Sequence, residues 1–434
     1  MSLTTSIDEL FASVSQQVTA AGDESTPQVL YTGRYIAVFK DDATAAAIDQ
    51  FKNTYNLSVA SADSFEDSAV SFTDLGDAEV LVFPQIGTAL VSPQAYAALN
   101  PVASQDPSVA SSPESTPQVF TPDPNSPVAF FEPEIFLFPT EDDATAAGSG
   151  APAVATNTYG LDLTGVSQCG WMGNGIKVCI LDTGLDLTHP DFAGRTIVSS
   201  SFVGQSVQDG HGHGTHTAGT ACGPYAPGGG IPRYGIAYGS SIYIGKVLTD
   251  SGKAVSGSVL AGIAWAVANK CEVVSMSLSA PTGPQAGFTA AGKNALAAGT
   301  LLIAASGNDS TRPTTIANTG APANSPTIMA VAGLDKNLDM YVRSNGGKIE
   351  IAGPGVDVFS SVPTPLLHGN KTGTSMATPH VAGIAALWAE SQSDCRGQSL
   401  WNALTSSAKP VTLEPADVGA GMVQAPTSPA VSKL

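Results

Sequence analysis

From residue 175 onwards, apolar runs of strand length alternate with segments whose apolar residues recur at helical spacing. The runs GIKVCILDTG (175–184), EVVSMSLS (272–279) and GTLLIAASGN (299–308) are largely apolar until they end in polar turns. Such runs are typical of strands that are buried on both faces of a parallel sheet. Helical segments such as GSVLAGIAWAVANK (257–270) and AAGKNALAAG (290–299) separate them. The pattern therefore predicts an α/β fold, a parallel sheet with helices on both faces.

The first third of the chain has a different pattern. RYIAVF (34–39) is predicted to be a strand, and DDATAAAIDQFKNTYN (41–56) a helix with aspartates in its first turn. Two further strand-like runs follow, and a serine opens the helical segment SPQAYAALN (92–100). These elements predict a small α+β domain. The preceding residues 1–30 are polar, and we predict that they form a flexible arm.

A linker rich in proline, serine, threonine and alanine joins the two parts over residues 101–155. Such a composition predicts an extended chain that is sensitive to proteases. The apolar segment PVAFFEPEIFLFP (127–139) interrupts it and is predicted to be a strand followed by a tail. The sequence thus divides into a flexible arm, a small domain with a Pro-rich insertion, a linker and a large α/β domain, over residues 1–30, 31–138, 139–156 and 157–434.

The acidic residues are concentrated in the N-terminal part. The net charge is −19, and residues 1–155 carry 3 basic and 21 acidic side chains. Without a basic surface we expect no nucleic-acid partner, and no apolar run reaches the roughly 20 residues of a membrane span. The N-terminus lacks a secretory signal, which leaves a cytoplasmic protein, export by another route, or a secreted protein whose signal has been removed. Five cysteines without CxxC spacing predict buried, reduced thiols rather than a disulfide framework.

Two polar residues lie where the predicted sheet would present them to a ligand. Asp182 ends a buried strand, where it either orients an imidazole or caps the turn. His213 opens a helix in DGHGHGTHTAGT (209–220), and the flanking glycines allow a substrate to approach. Because His211 and His216 lie in the same stretch, three interpretations are open: a metal cluster, one catalytic base with two bystanders, or glycine-rich packing.

Ser375 and Asn308 are further candidates for the same edge of the sheet. A helix begins near Ser375, so its hydroxyl and backbone N–H lie at a positive helix end, which stabilises developing negative charge. Asn308 follows a buried strand, and its side-chain amide is a candidate second donor to an oxyanion. A capping serine and a turn asparagine are the structural alternatives. With Asp182 and His213, these residues offer a carboxylate, a base, a nucleophile and an oxyanion donor on one scaffold.

Four segments in this order resemble the signature segments of the subtilisin-like serine proteases: DTGLDLTHPDF, HGHGTHTAGT, AASGN and GTSMATPHVAGIAAL. The resemblance covers about residues 157–410. It implies a subtilisin-like parallel sheet sandwiched by helices, and a serine endopeptidase that forms an acyl-enzyme. By this resemblance Asp182 would orient His213, and His213 would take the proton of the nucleophile Ser375. Asn308 and the backbone N–H of Ser375 would hold the oxyanion.

The resemblance also distinguishes the three histidines. The family motif HGTH begins with the base, which selects His213, and it implies that His216 packs and that His211 lies in the loop. No metal is expected among them, and catalysis needs no cofactor. Asp191 matches a calcium-ligand position in many relatives, which leaves a structural Ca²⁺ open. The partner loop, residues 222–235, offers no side-chain carboxylate or amide to such an ion.

Peptide or protein substrates are implied, and their backbone would add as a strand between two segments of the cleft. Gly320 matches the base of the specificity pocket, where a glycine leaves a deep, apolar pocket for large apolar or aromatic side chains. Ser279 and Ala280 lie where the family often has two glycines, a departure beside the substrate. The expected substrate-binding residues are Gly252, Lys253, Ala254, Ser277, Leu278, Ser279, Ala305, Ser306, Gly307 and Gly320.

The N-terminal domain resembles, more weakly, the inhibitory propeptide of these proteases, a ferredoxin-like β-α-β-β-α-β unit. The tail EIFLFP (134–139) would then lie in the cleft as a product-like strand, with self-cleavage within residues 138–155. The alternative is a permanent acidic accessory domain. We therefore expect a monomeric zymogen that is inhibited by its own prodomain. A peptide-joining protease and a catalytically dead scaffold are the alternatives to a hydrolase.

Overall fold

The computed structural model describes residues 2–21, 29–65, 75–100, 124–140 and 156–427. Most of the predicted Pro-rich insertion and nearly all of the predicted linker lie outside the described residues. No described helix is both long enough and apolar enough to cross a bilayer. The cysteines are unpaired thiols, as predicted, and four of the five are buried.

The large domain is built around one parallel sheet. The strands of the large domain are β6 (Lys177–Asp182), β7 (Ile197–Ser201), β8 (Ser241–Lys246), β9 (Ala254–Val255), β10 (Val273–Met276), β11 (Leu278–Ser279), β12 (Leu301–Ala305), β13 (Met329–Leu334), β14 (Ile351–Pro354), β15 (Val358–Ser361) and β16 (His368–Lys371). Its helices are α4 (Tyr159–Leu163), α5 (His213–Cys222), α6 (Ser256–Ala268), α7 (Ala286–Ala297), α8 (Thr374–Ser391), α9 (Gln398–Ser407) and α10 (Pro415–Val418).

Seven of these strands form the sheet, in the order β14-β13-β12-β10-β6-β8-β7, and every neighbouring pair is parallel. The helices α5 and α8 pack on each other and on the sheet, and α6 and α7 do the same. The central strands β10 and β12 are buried along their whole length, which explains their nearly continuous apolar sequence. The predicted parallel sheet flanked by helices is confirmed.

The N-terminal domain consists of α1 (Ile7–Ala21), β1 (Tyr31–Phe39), α2 (Thr44–Asp49), β2 (Val59–Ser61), β3 (Val80–Phe83), β4 (Thr88–Val91), α3 (Pro93–Leu99) and β5 (Val128–Pro139). Its sheet has the order β2-β3-β4-β1-β5, in which only β2 and β3 are parallel. Without the edge strand β2, the chain runs through the β-α-β-β-α-β order that the sequence predicts.

Both faces of this small sheet are covered. Val80 and Val82 of β3 face the domain's own helices, in one core with Phe51. Leu81 and Phe83 point to the opposite face, because side chains alternate along a strand, and they join the core of the large domain. The N-terminal domain therefore packs its second face against the large domain, where α6 and α7 contact it.

The prediction of a flexible arm for residues 1–30 is wrong for α1. Ile7 and Leu10 are buried in one cluster with Phe136 of β5 and Val255 of β9. Leu3 is also buried. Apolar residues three and four apart share one face of a helix, and here that face packs against Phe136 and Val255. Because residues 1–30 are mostly polar, their composition does not indicate this short apolar face of α1.

Candidate active site

Three elements bring the predicted catalytic residues to one end of the parallel sheet. Asp182 is the last residue of β6, and His213 is the first residue of α5. Ser375 is the second residue of α8. All three side chains are buried. In open α/β sheets, ligands bind outside the carboxyl ends of the strands, so this end of the sheet suits a reaction centre.

The Asp182 carboxylate holds the His213 ring in one orientation. Asp182 Oδ1 lies 2.7 Å from Nδ1 of His213 and also accepts the backbone N–H of Thr183 at 2.7 Å. The other oxygen, Oδ2, accepts the hydroxyl of Thr217, one turn along α5, at 3.2 Å. Because the carboxylate engages Nδ1, Nε2 is the ring nitrogen that can exchange a proton with a hydroxyl.

The Ser375 hydroxyl lies at the beginning of α8, in contact with the end of the N-terminal domain. Its Oγ donates to the carbonyl of Ser277 at 3.0 Å and lies 2.6 Å from the hydroxyl of Thr140. The backbone N–H of Ser375 donates to the carbonyl of Thr140 at 3.2 Å. A helix N-terminus carries partial positive charge, so an oxygen at this N–H is held where negative charge is stabilised.

Asn308 presents an amide donor to the same place. Its Oδ1 accepts the backbone N–H of Thr374 at 3.1 Å and the Thr374 hydroxyl at 2.9 Å. Its buried Nδ2 has no hydrogen-bond partner among the residues that the structure describes. Buried polar groups are almost always paired in folded proteins, so an orphaned donor beside Ser375 indicates a group that serves a ligand or a transient charge.

The three histidines of residues 209–220 do not converge. His216 is a buried residue of α5, and its Nε2 contacts the carbonyl of Val358 at 2.9 Å. The His211 ring lies 6.2 Å from the His213 ring, edge to face. Among the described residues, the group whose ligand atoms could share a metal ion contains none of these three. In the described structure the ligand atoms of these three histidines do not converge on one point.

Asp209 organises the loop before α5, a role that the sequence interpretation missed. Its Oδ1 accepts the N–H groups of His211 and Gly212 at 3.0 and 2.7 Å, and the hydroxyl of Thr183 at 2.9 Å. Its Oδ2 accepts both the N–H and the hydroxyl of Thr215. Asp209 lies four residues before α5, and the N-cap position itself is Gly212, so the usual N-cap signal does not reveal this role.

The cleft beside Ser375 is occupied by the end of β5. Leu137 pairs with Ala254 of β9, while Phe138 and Pro139 pair with the two residues of β11. Both pairings are antiparallel, so this segment lies as a third strand between two strands of the large domain. Strand addition of this kind is how many extended peptides bind to sheet edges.

The other predicted substrate-binding residues lie on several different elements. Ser277 and Gly307 border the beginning of α8, and the Ser277 hydroxyl donates to the carbonyl of Ser375 at 2.8 Å. Ala305 ends β12 and Ser306 follows it. Gly252 forms a turn with a φ of +72°.

The ammonium group of Lys253 contacts the N-terminal helix. Its Nζ lies 3.4 Å from the carboxylate of Asp8 and 4.6 Å from the centre of the Phe11 ring. The hydroxyl of Ser251, two residues earlier, donates to the same Asp8 carboxylate at 2.7 Å. α1 thus rests on the outer side of the cleft through polar as well as apolar contacts.

Comparison with known proteins agrees with this geometry. The model of the subtilase family matches residues 173–422. A subtilisin of Bacillus pumilus is 38% identical over 222 residues, which cover 50% of this chain and 78% of the relative. Subtilisin DY of Bacillus licheniformis is 36% identical over 260 residues, covering 58% and 92%. M-protease of Shouchella clausii is 41% identical over 221 residues, covering 50% and 55%. The chain belongs to the subtilase family. It is a serine endopeptidase.

The neighbourhood of Asp191 in this subtilase does not fit a calcium ion. Asp191 Oδ2 accepts the hydroxyl of Tyr234 at 2.5 Å and Nε2–H of His368 at 2.7 Å. Burial disfavours ionisation, but these hydrogen bonds lower the pKa of Asp191 below its usual value. Both neighbours act as donors, whereas Ca²⁺ requires six or more oxygen ligands. The described side chains at this oxygen thus supply two hydrogen-bond donors rather than the oxygen ligands that a calcium ion needs.

His189, Asp191 and His368 lie close enough together to suggest a transition-metal site instead. However, Nε2 of His189 contacts the carbonyl of Leu367 at 2.7 Å, and its Nδ1 accepts the N–H of Asp191 at 3.1 Å. Both ring nitrogens of His189 are thus engaged by the backbone. These hydrogen bonds satisfy the cluster of this subtilase without an ion.

Proposed function

We propose that this subtilase is made as a zymogen that hydrolyses peptide bonds through Ser375, His213 and Asp182 and removes its own acidic N-terminal domain. The observation that carries the proposal is the hydrogen bond from the Ser375 N–H to the carbonyl of Thr140. It joins the predicted nucleophile to a backbone carbonyl at the end of the N-terminal domain, as in an enzyme holding a substrate or product.

The proposed reaction begins when Nε2 of His213 takes the proton of Ser375 Oγ, which attacks the carbonyl carbon of the substrate. Asp182 keeps the Nδ1–H of His213 in place and stabilises the charged ring. The resulting oxyanion is held by the N–H of Ser375 and by Nδ2 of Asn308. His213 then gives the proton to the leaving amine. Water attacks the acyl-enzyme by the same proton route and releases the second product.

The N-terminal domain is proposed to inhibit the enzyme by occupying the cleft. Its tail fills the position between β9 and β11 that a substrate strand would need. Its second face packs on the large domain, so the tail is held as part of a folded body rather than as a loose peptide. A domain with this attachment lowers the entropic cost of binding and makes an effective intramolecular inhibitor.

The two alternatives have less support. A dead scaffold is disfavoured because the carboxylate, the imidazole and the serine are all present at one end of the sheet. Peptide ligation would use the same acyl-enzyme, with an amine in place of water as the second nucleophile. No observation in the described residues favours an amine over water.

The proposal is tested by mass spectrometry of the purified chain beside its Ser375→Ala and His213→Ala variants. The unchanged chain should lose its N-terminal domain, and Ser375 should react with a fluorophosphonate probe, whereas both variants should stay full length. His211→Ala is the matched control, since this histidine lies in the same loop, and it should retain most of the processing. An unchanged chain that stays full length and unlabelled would refute the proposal.

A further inference from the structure

The end of β5 identifies one peptide bond as the bond at the catalytic centre. Leu137, Phe138 and Pro139 occupy consecutive positions in the cleft, so Thr140 is the next residue towards the nucleophile. The carbonyl oxygen of Thr140 accepts the N–H of Ser375 at 3.2 Å, and the N–H of Thr140 donates to Ser375 Oγ at 3.0 Å. The carbonyl carbon of Thr140 is thus the one that is presented to the serine hydroxyl.

The side chain before that bond meets a pocket that differs from the deep, apolar one expected from Gly320. The Ser279 hydroxyl lies directly over this glycine, because a Cβ placed on Gly320 would lie 2.2 Å from Ser279 Oγ. The carbonyl of Ala280 would lie 2.5 Å from the same Cβ. The absence of a side chain at Gly320 therefore gives space to Ser279 rather than to the substrate.

The space that remains lies towards a polar rim. A cavity of about 150 Å³ beside the strand is lined by Thr140, Ser279, Pro281, Asn308, Asp309 and Arg343, together with the two preceding residues of the strand. Among the described residues, Gly320 is not part of this lining. A bulky apolar side chain before the scissile bond would have to displace the Ser279 hydroxyl or lie against charged groups.

The pocket also contains a buried hydroxyl. Ser279 Oγ has no hydrogen-bond partner among the residues that the structure describes. Leaving a buried polar group unpaired costs about 1–3 kcal/mol. With Thr140 in place the Ser279 hydroxyl remains unpaired, so the threonine side chain does not bond to it, and Ser279 limits the size of the pocket instead. The Thr140 hydroxyl already contacts the hydroxyls of Ser375 and Thr374, at 2.6 and 3.2 Å.

We propose that the chain is processed at the bond between Thr140 and Glu141, and that Ser279 makes the enzyme select short residues before the cleaved bond, because its side chain fills the space over Gly320. The residue three positions further towards the N-terminus is apolar in the preferred substrate, because Leu137 is fully buried beside β9 in the self-bound state. This inference rests on the proposed function and names the substrate class of that site.

The proposed step conserves all atoms. Ser375 Oγ forms an ester bond to the carbonyl carbon of Thr140 as the bond to the nitrogen of Glu141 breaks, and this nitrogen receives the hydroxyl proton through His213. Water then supplies a hydroxyl to the Thr140 carbonyl and returns a proton to Ser375. The products are a chain that ends in a Thr140 carboxylate and an enzyme that begins at Glu141.

The first test is N-terminal sequencing of the processed protein, which should begin at Glu141. The second compares kcat/KM of the processed enzyme for two chromogenic peptides, acetyl-Leu-Phe-Pro-Thr-p-nitroanilide and the same peptide with Phe in place of Thr. We expect the Thr peptide to be cleaved about tenfold faster or more, the scale on which pocket shape discriminates between side chains.

Two variants of one residue separate size from polarity. Ser279→Gly should uncover Gly320 and raise kcat/KM for the Phe peptide at least tenfold. Ser279→Ala removes the hydroxyl and keeps the Cβ, and it should reduce the preference for Thr with a smaller gain for Phe. The wild-type comparison stands without either variant if one fails to fold.

The possible outcomes distinguish a failure of this inference from a failure of the proposed function. Faster cleavage of the Phe peptide by the wild-type enzyme, or a processed N-terminus at another residue, would overturn the inference and leave the endopeptidase mechanism intact. Cleavage of neither peptide by a chain that also fails to process itself would overturn both.

Discussion

Two glutamates of β5 join the N-terminal domain to the large domain by the same kind of contact, yet their charges are balanced differently. Glu134 Oε1 accepts the backbone N–H of Gly257, in the first turn of α6, at 3.0 Å. Glu132 accepts the N–H groups of Ala286 and Gly287, at the start of α7, both at 2.7 Å. Each carboxylate thus caps a helix whose first N–H groups and dipole favour a negative charge.

The difference lies on the other side of the carboxylates, inside the N-terminal domain. Arg34 Nε lies 2.5 Å from Oε2 of Glu134, and the Thr32 hydroxyl donates to the same oxygen at 2.6 Å. Within the described part of the chain, Glu132 forms no ion pair. Burial raises the pKa of Glu132 to about 7, although the two N–H groups of α7 oppose the shift.

These contacts give the two glutamates different roles at one interface. The partner of Glu134 is a guanidinium, which stays charged at all ordinary pH values, so a permanent positive charge faces this carboxylate. Glu132 relies on the helix terminus alone, and a buried carboxyl without a cation gains a proton near neutral pH. One interface therefore combines a permanent anchor with a contact that responds to pH.

The largest effect is expected from removing the cation of the permanent anchor. Arg34→Met would leave the Glu134 charge buried without its partner, and breaking a buried pair in this way costs roughly 3–5 kcal/mol. The free energy of unfolding should be measured by chemical denaturation, in a Ser375→Ala background that keeps the chain full length.

The control for this prediction is the double variant Arg34→Met, Glu134→Gln, which removes both charges. It should recover part of the loss, because the uncompensated carboxylate is then absent. A single variant that loses less than about 1 kcal/mol would show that water or a neighbour already compensates Glu134, and the contrast with Glu132 would disappear.

A smaller, pH-dependent effect is expected from Glu132. Its pKa is about 7 in the folded chain and near 4.5 when exposed, so the folded chain holds a proton that the unfolded chain has lost between these values. The stabilising contribution of the protonated group is complete below about pH 4.5 and is lost as the pH rises through 7. One proton changes the folding equilibrium by at most about tenfold per pH unit.

The measurement compares the unfolding free energy of the Ser375→Ala chain with that of the Ser375→Ala, Glu132→Gln chain from pH 5 to 8. Gln cannot ionise, so the difference between the two chains should change in favour of Gln as the pH rises. Other titrating groups are common to both chains and cancel. Parallel curves would mean that the α7 terminus holds Glu132 ionised throughout, in which case the two glutamates are equivalent.

The features that depend on local sequence patterns could be predicted from the sequence. The unbroken apolar runs of β6, β10 and β12 predicted a parallel sheet because strands buried on both faces need no polar residues. Asp182, His213 and Ser375 lie where a strand ends or a helix begins, as their local sequences predicted, whereas their catalytic roles were implied by the resemblance to the subtilisin-like proteases.

Specific contacts between residues that are far apart in the sequence could not be predicted. Arg34 and Glu134 are 100 residues apart, and the sequence around each residue does not indicate that the other is its partner. Ser279 was noticed as a departure, but whether its hydroxyl points to the substrate or over Gly320 depends on how two separate loops pack. The amphipathic face of α1 became meaningful only beside Phe136.

The smallest effect is expected at a third contact of the same interface, the exposed pair of Asp41 and Lys293 of α7. The Lys293 Nζ lies 2.7 Å from both carboxylate oxygens, but the two side chains are 80% and 57% exposed. Exposed pairs contribute about 0–1 kcal/mol, and salt screens them within about a nanometre. Asp41→Asn should therefore cost less than about 0.5 kcal/mol in low salt, and nothing measurable in high salt. A loss comparable to that of Arg34→Met would mean that burial does not decide which charges hold the two domains together.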